Sequence, residues 1–460
     1  MRARVALFGL VWLSCVWFGS WALNPNNAVR LFAAISLVEG QGGRIDAYRD
    51  LTIDHAQFGG HVYLDKAPGM TLLALPAVAV ADAADPAPPV IPASIYDATF
   101  EHYVALRLRL AVALVSALLT AGAALALYDL GGRLTGRASA GLVAALGFAL
   151  GTPVWGWSTT LFGHAPVASL LVIAIWALWR GPAARFAAIA GAALGLAVLI
   201  EFQAVLPGAV IAVWGAIRLR RARPVAIASV AGLATLLIPF VAYNLVVFGM
   251  PFRIGYQGVV GFAGMNQGLF GLTAPKPTVV LDILFGQKRG LVWVAPILVL
   301  APVGLWLLGR RARGLALTLT AAVTVVLMVN AAYVYWDGGH STGPRHSVPA
   351  IGLLAIGLAP LWASLHQFWQ RIATGALLGL SVVINLMIAA ANVTAPDTYP
   401  FPLADPILTS WRNGALRTLP SEFFGWTPLA GVVLYLAIAL PLTAWLLAHV
   451  RRSVIVAHAA

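Results

Sequence analysis

Residues 24–69 read NPNNAVRLFAAISLVEGQGGRIDAYRDLTIDHAQFGGHVYLDKAPG and lie between two apolar segments. They hold five of the sixteen carboxylates (Glu39, Asp46, Asp50, Asp54 and Asp65) and Lys66, one of three lysines. A carboxylate can take a proton from a hydroxyl, and an ammonium beside it can steady an anion that forms in the same step. A second polar run, YVYWDGGHSTGPRHSVP at 333–349, adds Asp337, His340, Arg345 and His346. Its glycines at 338, 339 and 343 allow the backbone to approach a ligand closely. Its Tyr333, Tyr335 and Trp336 suit either stacking on a sugar or an interfacial belt. A third run, WGWSTTLFGHA at 155–165, carries His164, which is either a site residue or a satisfied structural histidine. Glu201 stands in an apolar setting, where a carboxylate is costly unless paired.

These groups are set in a very apolar chain. It is 60% hydrophobic and 10% charged, with a mean hydropathy of +0.87. A soluble domain carries roughly a quarter charged residues. Apolar runs of about 20 residues, each enough to cross a bilayer, recur along the chain. The net charge of +13 does not point to nucleic acid. Arginine dominates, and most of it falls in short clusters between apolar runs, as the positive-inside rule requires. Cys15 is the only cysteine, so an intrachain disulfide and a zinc ribbon are both excluded. The N-terminal run, with Trp12, Trp17 and Trp21, lacks a small-x-small cleavage site and reads as an uncleaved first helix over about 4–23.

The expected fold is all-α, a single polytopic transmembrane domain over 1–460 with about 12–13 membrane helices. Asn24-Pro25-Asn26-Asn27 signals a helix start. Residues 27–39 then form a short amphipathic helix on the membrane surface, stopped at Gly40. Residues 69–84 are short, apolar and interrupted by Pro76, and read as juxtamembrane or re-entrant. Further helices are expected at about 104–128, 139–158, 164–180, 185–201, 203–217, 224–247, 291–309, 314–335, 347–365, 372–392 and 427–449. Basic punctuation at Arg133/Arg137, Arg180/Arg185, 218–223, 310–313, Arg371 and Arg451-Arg452 marks cytoplasmic turns, and both termini are cytoplasmic. The main outer loops are then 24–67, the catalytic loop, with 248–290, 336–346 and 393–426. The glycine-rich stretch 252–275 is a lid, an interfacial loop or a plain connector.

That topology leaves only Asp129 on the cytoplasmic side and puts the other fifteen carboxylates on or near the outer face. It also exposes cations that break the rule: Arg30, Lys66, Arg253, Lys276, Lys288, Arg289, Arg345 and Arg412. Any one of them is equally well a side chain snorkelling to the interface. Together, Lys66, Lys288, Arg289 and Arg345 suit an anionic lipid phosphate, which an arginine fork grips with two bonds.

The order and spacing of these residues resemble the GT-C superfamily of integral-membrane glycosyltransferases, and within it the protein O-mannosyltransferase and lipid A aminoarabinose transferase group. A first helix is followed by a short outer helix bearing Arg30, a glycine break, and then Tyr63-Leu64-Asp65-Lys66-Ala67-Pro68 opening an apolar helix. FGHA (162–165), KRGL (288–291) and WDGGHSTGPRH (336–346) extend the likeness over nearly the whole chain. The resemblance implies a transferase that takes sugar from a polyprenyl-phosphate donor at the outer, periplasmic face of the inner membrane and uses no nucleotide. The partners would be that donor, a lipid or glycan acceptor and membrane lipids, with no nucleic acid. By the same likeness Lys66 binds the lipid phosphate with Asp65 beside it, and Arg30 braces the outer helix. The family's usual base aspartate, three residues before the arginine, is here Asn27, and a second aspartate of the family is matched by His164. Asp46, Asp50 and Asp54 remain as bases, with Asp54 preferred because Asp54-His55 lies closest to the Lys66 segment.

The expected chemistry is an inverting transfer: an outer-loop carboxylate, Asp54 or Asp46, deprotonates the acceptor while the lipid phosphate departs. Lys66, Arg289, Arg345 and His346, with Asp337 beside them, would serve the substrate. No cofactor is expected. There is no DxD pair to hold a divalent metal in the 24–69 loop, and the cations already serve the leaving group. A lipid-linked sugar flippase, and a ligase or polymerase of lipid-linked glycans, are the alternatives. A flippase predicts internal repeats and helices broken at mid-membrane, and no repeat is present.

Overall fold

The structure, a computed structural model, describes residues 1–19, 23–86 and 90–451. Sequence expectations that fall on Trp21, on 87–89 or on Arg452 lie outside the described residues. Helices dominate, and the described sheet is one antiparallel hairpin, Ala56–Phe58 with His61–Tyr63. Among the described residues, seven helices are long and apolar enough to cross a membrane: Ala98–Thr135, Phe202–Leu219, Ala222–Phe248, Arg313–Ala332, Arg345–Ser364, Phe368–Ala390 and Pro428–Val450. Five shorter apolar helices accompany them, at Gly69–Ala84, Ala138–Ala149, His164–Arg180, Ala184–Ile200 and Pro296–Gly309. The chain is an integral membrane protein with a polytopic helical fold.

Several expected elements shift, each for a local reason. The first helix is Arg2–Trp17, because Phe18 turns extended and bridges Thr418. The helix expected over 104–128 runs from Ala98 to Thr135, about 57 Å at 1.5 Å per residue, well beyond a ~30 Å hydrocarbon core. Asp97 starts it by accepting from the amides of Thr99 and Phe100. Arg107 and Arg109 lie inside the expected 104–128 span, but no partner for either was legible in the sequence. Arg107 pairs with Asp82 at 2.5 Å and Arg109 with Glu422 at 2.5 Å. The 291–309 helix is broken at Ala295, since the residue before Pro296 is pushed out of the helical region. Asn385 Nδ2 donates to the freed Val294 carbonyl at 2.8 Å, and Ser381 Oγ accepts from Ile297 N at 2.9 Å.

The helix after the first span also differs in setting. Asn24 caps Pro25–Val38 by accepting from Asn26 N and Asn27 N, as its sequence promises. Yet Asn27 through Ser36 are all buried, so it is not an amphipathic helix lying on a surface. The Gly69–Ala84 helix runs beside it in the same direction. Thr71 Oγ1 bonds Arg30 O near their starts, and Glu39 and Asp82 interact electrostatically near their ends.

The two ends of the bundle carry different ionic groups. His164 and Arg180 close the two ends of one 17-residue helix, about 24 Å apart. At the Arg180 end, buried Asp129 accepts from Arg4 (2.9 Å), Arg133 (2.8 Å), Arg180 (3.1 Å) and Trp176 Nε1 (2.9 Å). One carboxylate thus ties three helices. At the other end lies the cluster described below.

Small residues dock the most lipid-exposed span. Ala222–Phe248 buries few side chains, yet Ala184–Ile200 meets it backbone to backbone. A Cβ on Gly191 would collide with Ala228 O, and one on Gly195 with Gly232 O. Such small-residue seams are how membrane helices approach when lipid is as apolar as leucine. Gly195→Leu is therefore expected to pry the helices apart at a cost of about 1–3 kcal/mol, read as a lower Tm in detergent. Gly122→Leu, where nothing lies within 4 Å of the added Cβ, is the matched control.

Candidate active site

The site is organised by the hairpin. Gly59 (φ +56°) and Gly60 (φ +83°) make the two-residue turn, where left-handed backbone suits glycine. The pairing Ala56↔Tyr63, Gln57↔Val62, Phe58↔His61 continues in register to set residue 54 opposite residue 65. The turn therefore folds the two carboxylates of Asp54 and Asp65 onto one cation. Lys66 Nζ lies 3.3 Å from Asp54 Oδ2 and 2.5 Å from Asp65 Oδ2. No strands are among the elements expected here from the sequence, although Gly-Gly between alternating residues is a hairpin signal.

The 25–38 helix supplies the next layer. Arg30 is buried and reaches Glu201 Oε1 at 3.1 Å, while its other nitrogen bonds Asn26. Glu201 comes from the turn between Ala184–Ile200 and Phe202–Leu219. Its carboxylate fits because residue 163 is glycine: a Cβ there would overlap Glu201 Oε1. That is a physical reason for the glycine in FGHA. Asn27 Oδ1 accepts from Leu161 N at 2.9 Å and so fixes the approach to Phe162. The Phe162 ring lies 5.8 Å from the Arg30 guanidinium carbon and 5.3 Å from that of Arg345, so both cations converge on one ring.

Arg345 arrives from the 336–346 turn. Gly338, Gly339 and Gly343 all have positive φ, and a Cβ on Gly338 would sit 2.7 Å from Arg345 Nε. The turn is stitched to the 392–395 segment through Ser341 N to Ala395 O and Thr342 N to Val393 O, each 2.8 Å. Among the described residues Arg345 makes no ion pair, and its buried Nε has no hydrogen-bond partner. His346 packs at 5.3 Å from both the His164 and Tyr333 rings. His346 Nε2 and His164 Nδ1 are buried without partners.

The other expected site residues stand apart from this convergence. Arg289 is buried, but its guanidinium donates to the carbonyls of Asp337 (2.6 Å), Ser341 (2.6 Å), Gly339 (2.5 Å) and Lys288 (3.2 Å). It holds the turn and has little left for a substrate. Asp337 pairs with Lys288 at 3.4 Å and accepts from Gly339 N, so it too shapes the turn. Asp46 is half-exposed and bonds His61 Nδ1 and Val62 N, each at 2.7 Å. It braces the hairpin from outside. Lys276 and Arg412 are exposed, and Arg253 lies over Phe58 at 4.7 Å.

The glycine-rich 252–275 stretch packs on this site, and its sequence had not separated lid from connector. Val260 N bonds His55 O, which adds a third strand-like segment to the hairpin. A Cβ on Gly255 would lie 2.6 Å from Leu64 O, so the loop rests directly on the Asp65 arm. Gly264 N donates to Tyr335 Oη at 2.9 Å, and Tyr333 Oη reaches Met265 Sδ at 3.4 Å. Beside Glu201 and His346 lies a narrow, partly open cleft, otherwise mostly apolar in lining.

The charges of the hairpin arms follow from this geometry. Burial pushes the Asp54 carboxyl up, but attraction to Lys66 and Arg345 outweighs it and holds the group below its usual range. Asp54 is thus an anion at neutral pH; its stabilisation is present above the ordinary carboxylate range and lost as pH falls toward its folded value. Asp65 goes the other way: burial, with repulsion from Asp54, raises it despite Lys66. Burial lowers Lys66, but the two carboxylates more than offset that and keep it cationic. No cluster of three or more metal-ligating side chains occurs among the described residues.

No protein-family model matches the chain, and no curated protein does. Solved structures do. ArnT from Cupriavidus metallidurans, in a crystal structure described as bound to undecaprenyl phosphate, aligns over 98% of this chain and 72% of its own, with a TM-score of 0.54 at 14% identity. The fold is GT-C-like. The same enzyme in its apo state aligns over the same shares at 15% identity, with a TM-score of 0.47. The GT-C-like fold is the one expected from the order of the first helix, Arg30, the glycine break and Asp65-Lys66.

Proposed function

We propose that this protein is a membrane glycosyltransferase that moves a sugar from a polyprenyl-phosphate donor to a lipid or glycan acceptor. The observation that carries the reading is Arg345. Its guanidinium has no carboxylate partner among the described residues and lies in the same ionic cluster as the Lys66–Asp54 pair. A half-buried cation whose nearest carboxylates are felt only at a distance has room for a contact partner, and a ligand phosphate supplies one. The fold likeness to ArnT, whose structure is described with undecaprenyl phosphate, points to a lipid phosphate in particular.

In this reading Lys66 and Arg345 hold the donor phosphate, and Arg30 adds positive potential from behind Phe162. The acceptor attacks the anomeric carbon from the face opposite the phosphate, so configuration inverts. Electrons of the breaking C–O bond go to the phosphate, and the two cations stabilise that growing charge without reorganising. Asp54 and Asp65 keep Lys66 aimed at the phosphate. His164 and His346 wall the site beside Tyr333. The site end carries nearly all the carboxylates, whereas the Asp129 end gathers Arg4, Arg133 and Arg180. By the positive-inside rule the site faces the periplasm and the first helix starts in the cytoplasm.

The test is to incubate purified protein with a panel of polyprenyl-phosphate hexoses and pentoses in native membrane lipid. The expected result is release of the lipid phosphate from at least one donor, with the sugar recovered in a lipid or glycan product of opposite anomeric configuration. Binding without release from any donor, together with sugar passage across vesicles, would favour the flippase reading instead.

A further inference from the structure

The cation side of the site is well supplied, but the group that takes the acceptor's proton is not settled by it. Asp54 is the base expected from the sequence. In the structure its Oδ2 is tied to Lys66, and its proton affinity is depressed, so it is a weak proton acceptor. Glu201 is in the opposite condition. Only its Oε1 is engaged, by Arg30; Oε2 has no hydrogen bond among the described residues. The carboxylate borders the narrow cleft together with Gln203 and His346, whose Nε2 is buried and unpartnered. Val167, Val326 and Val329 form apolar wall. A cleft with polar groups on part of its lining and aliphatic walls elsewhere fits an amphipathic guest.

We propose that Glu201 is the general base of the transfer, and that the apolar part of a lipid alcohol lies along the open cleft beside it so that its hydroxyl meets Oε2. The proposal rests on the transferase reading above. The acceptor O–H proton passes to Glu201 Oε2 as the acceptor oxygen bonds the anomeric carbon. The anomeric C–O bond to phosphate breaks, its electron pair stays on the phosphate held by Lys66 and Arg345, and Glu201 later returns its proton to water. Arg30 fixes the carboxylate through Oε1, which leaves Oε2 free for this work. Burial raises Glu201's affinity for a proton, and the opposing pull of Arg30, Lys66 and Arg345 does not cancel that, with Asp65 adding to the rise. A carboxylate so placed removes a proton more readily than Asp54.

The experiment compares the full chain with Glu201→Gln and Val329→Trp in native membranes. It reads two quantities: binding of undecaprenyl phosphate, and release of lipid phosphate from labelled polyprenyl-phosphate sugars, whichever acceptor takes the sugar. Glutamine keeps an oxygen for Arg30, so binding is expected to stay within about threefold while release falls by roughly 100-fold or more. Val329→Trp fills the cleft and should likewise spare binding and reduce release. Release by Glu201→Gln within about threefold of the parent would overturn the base. Loss of lipid-phosphate binding in that variant would overturn it too, since the carboxylate would then serve the donor side. A parent chain that binds no undecaprenyl phosphate, or releases none from any donor, would instead sink the transferase reading and the base with it.

Discussion

Lys66→Ala is expected to lower sugar transfer by roughly 100- to 1000-fold, the range seen when one preorganised charge donor is removed from a buried site. Two effects are folded into that loss, and a second substitution separates them. Without the ammonium, Asp54 and Asp65 face each other across the hairpin with no cation between them. Removing one member of such a buried group costs about 3–5 kcal/mol, so the variant should also melt earlier. The double variant Lys66→Ala/Asp65→Asn takes away one of the two facing charges. It should recover most of the thermal stability and none of the transfer, because the phosphate still lacks its ammonium. Lys66→Arg keeps the charge and should retain undecaprenyl phosphate binding with reduced turnover, since a planar fork does not fit the same short contacts. Full transfer by Lys66→Ala in membranes would remove Lys66 from the mechanism altogether.

The site was partly legible because its residues are of the wrong kind for their surroundings. Lys66 beside Asp65, at the mouth of an apolar helix, and Arg345 in a glycine-rich turn are expensive choices near a bilayer, and expense marks function. The partners could not be read. Glu201 had to be paired, but Arg30 is 171 residues earlier, and no local pattern links them. Asp54 was chosen for its proximity in sequence to Lys66. The physical cause of the meeting is different: the Gly59-Gly60 turn closes a register that sets 54 against 65. That turn signal stood in the sequence and went unread among polar residues. Asn27 looked like a lost base, and its observed bond to Leu161 N shows a structural duty that composition gives no hint of.

Of the fold, the apolar periodicity carried the order of the apolar helices, though among the described residues seven, not 12–13, are long enough to cross a membrane, and capping residues carried several starts. Asn24 opens its helix as expected. What periodicity could not carry was context. The 25–38 helix has an amphipathic pattern, but the 69–84 helix and the 46–51 segment pack against it, and Asn27 through Ser36 are all buried. Arg107 and Arg109 fell within the expected 104–128 helix, but their partners lie 25 and 313 residues away and no local pattern links them. Their ion pairs with Asp82 and Glu422 tie the N-terminal part of the long helix to its neighbours.

Arg289→Ala is expected to abolish both stability and transfer, whereas a substrate ligand would lose affinity alone. Sequence reasoning treats an arginine on the outer side as an anion grip, because a lipid phosphate is the obvious partner there. Backbone carbonyls are equally good acceptors, and a turn rich in glycine presents several at once. Arg289 donates to four of them, three within the 337–341 turn. Alanine would leave those oxygens buried without donors, at about 1–3 kcal/mol each, more than a marginally stable domain tolerates comfortably. The turn also sets Arg345, since Gly338 backs its Nε. Relaxing the turn therefore displaces the cation that awaits the phosphate, and a misplacement on the order of 1 Å costs about 100-fold in rate. Arg289→Lys gives the decisive contrast. Lysine keeps the charge but cannot reach the four carbonyls with one ammonium, so its Tm should fall nearly as far as alanine's. A lysine variant that melts like the parent and merely binds undecaprenyl phosphate more weakly would place Arg289 on the donor after all.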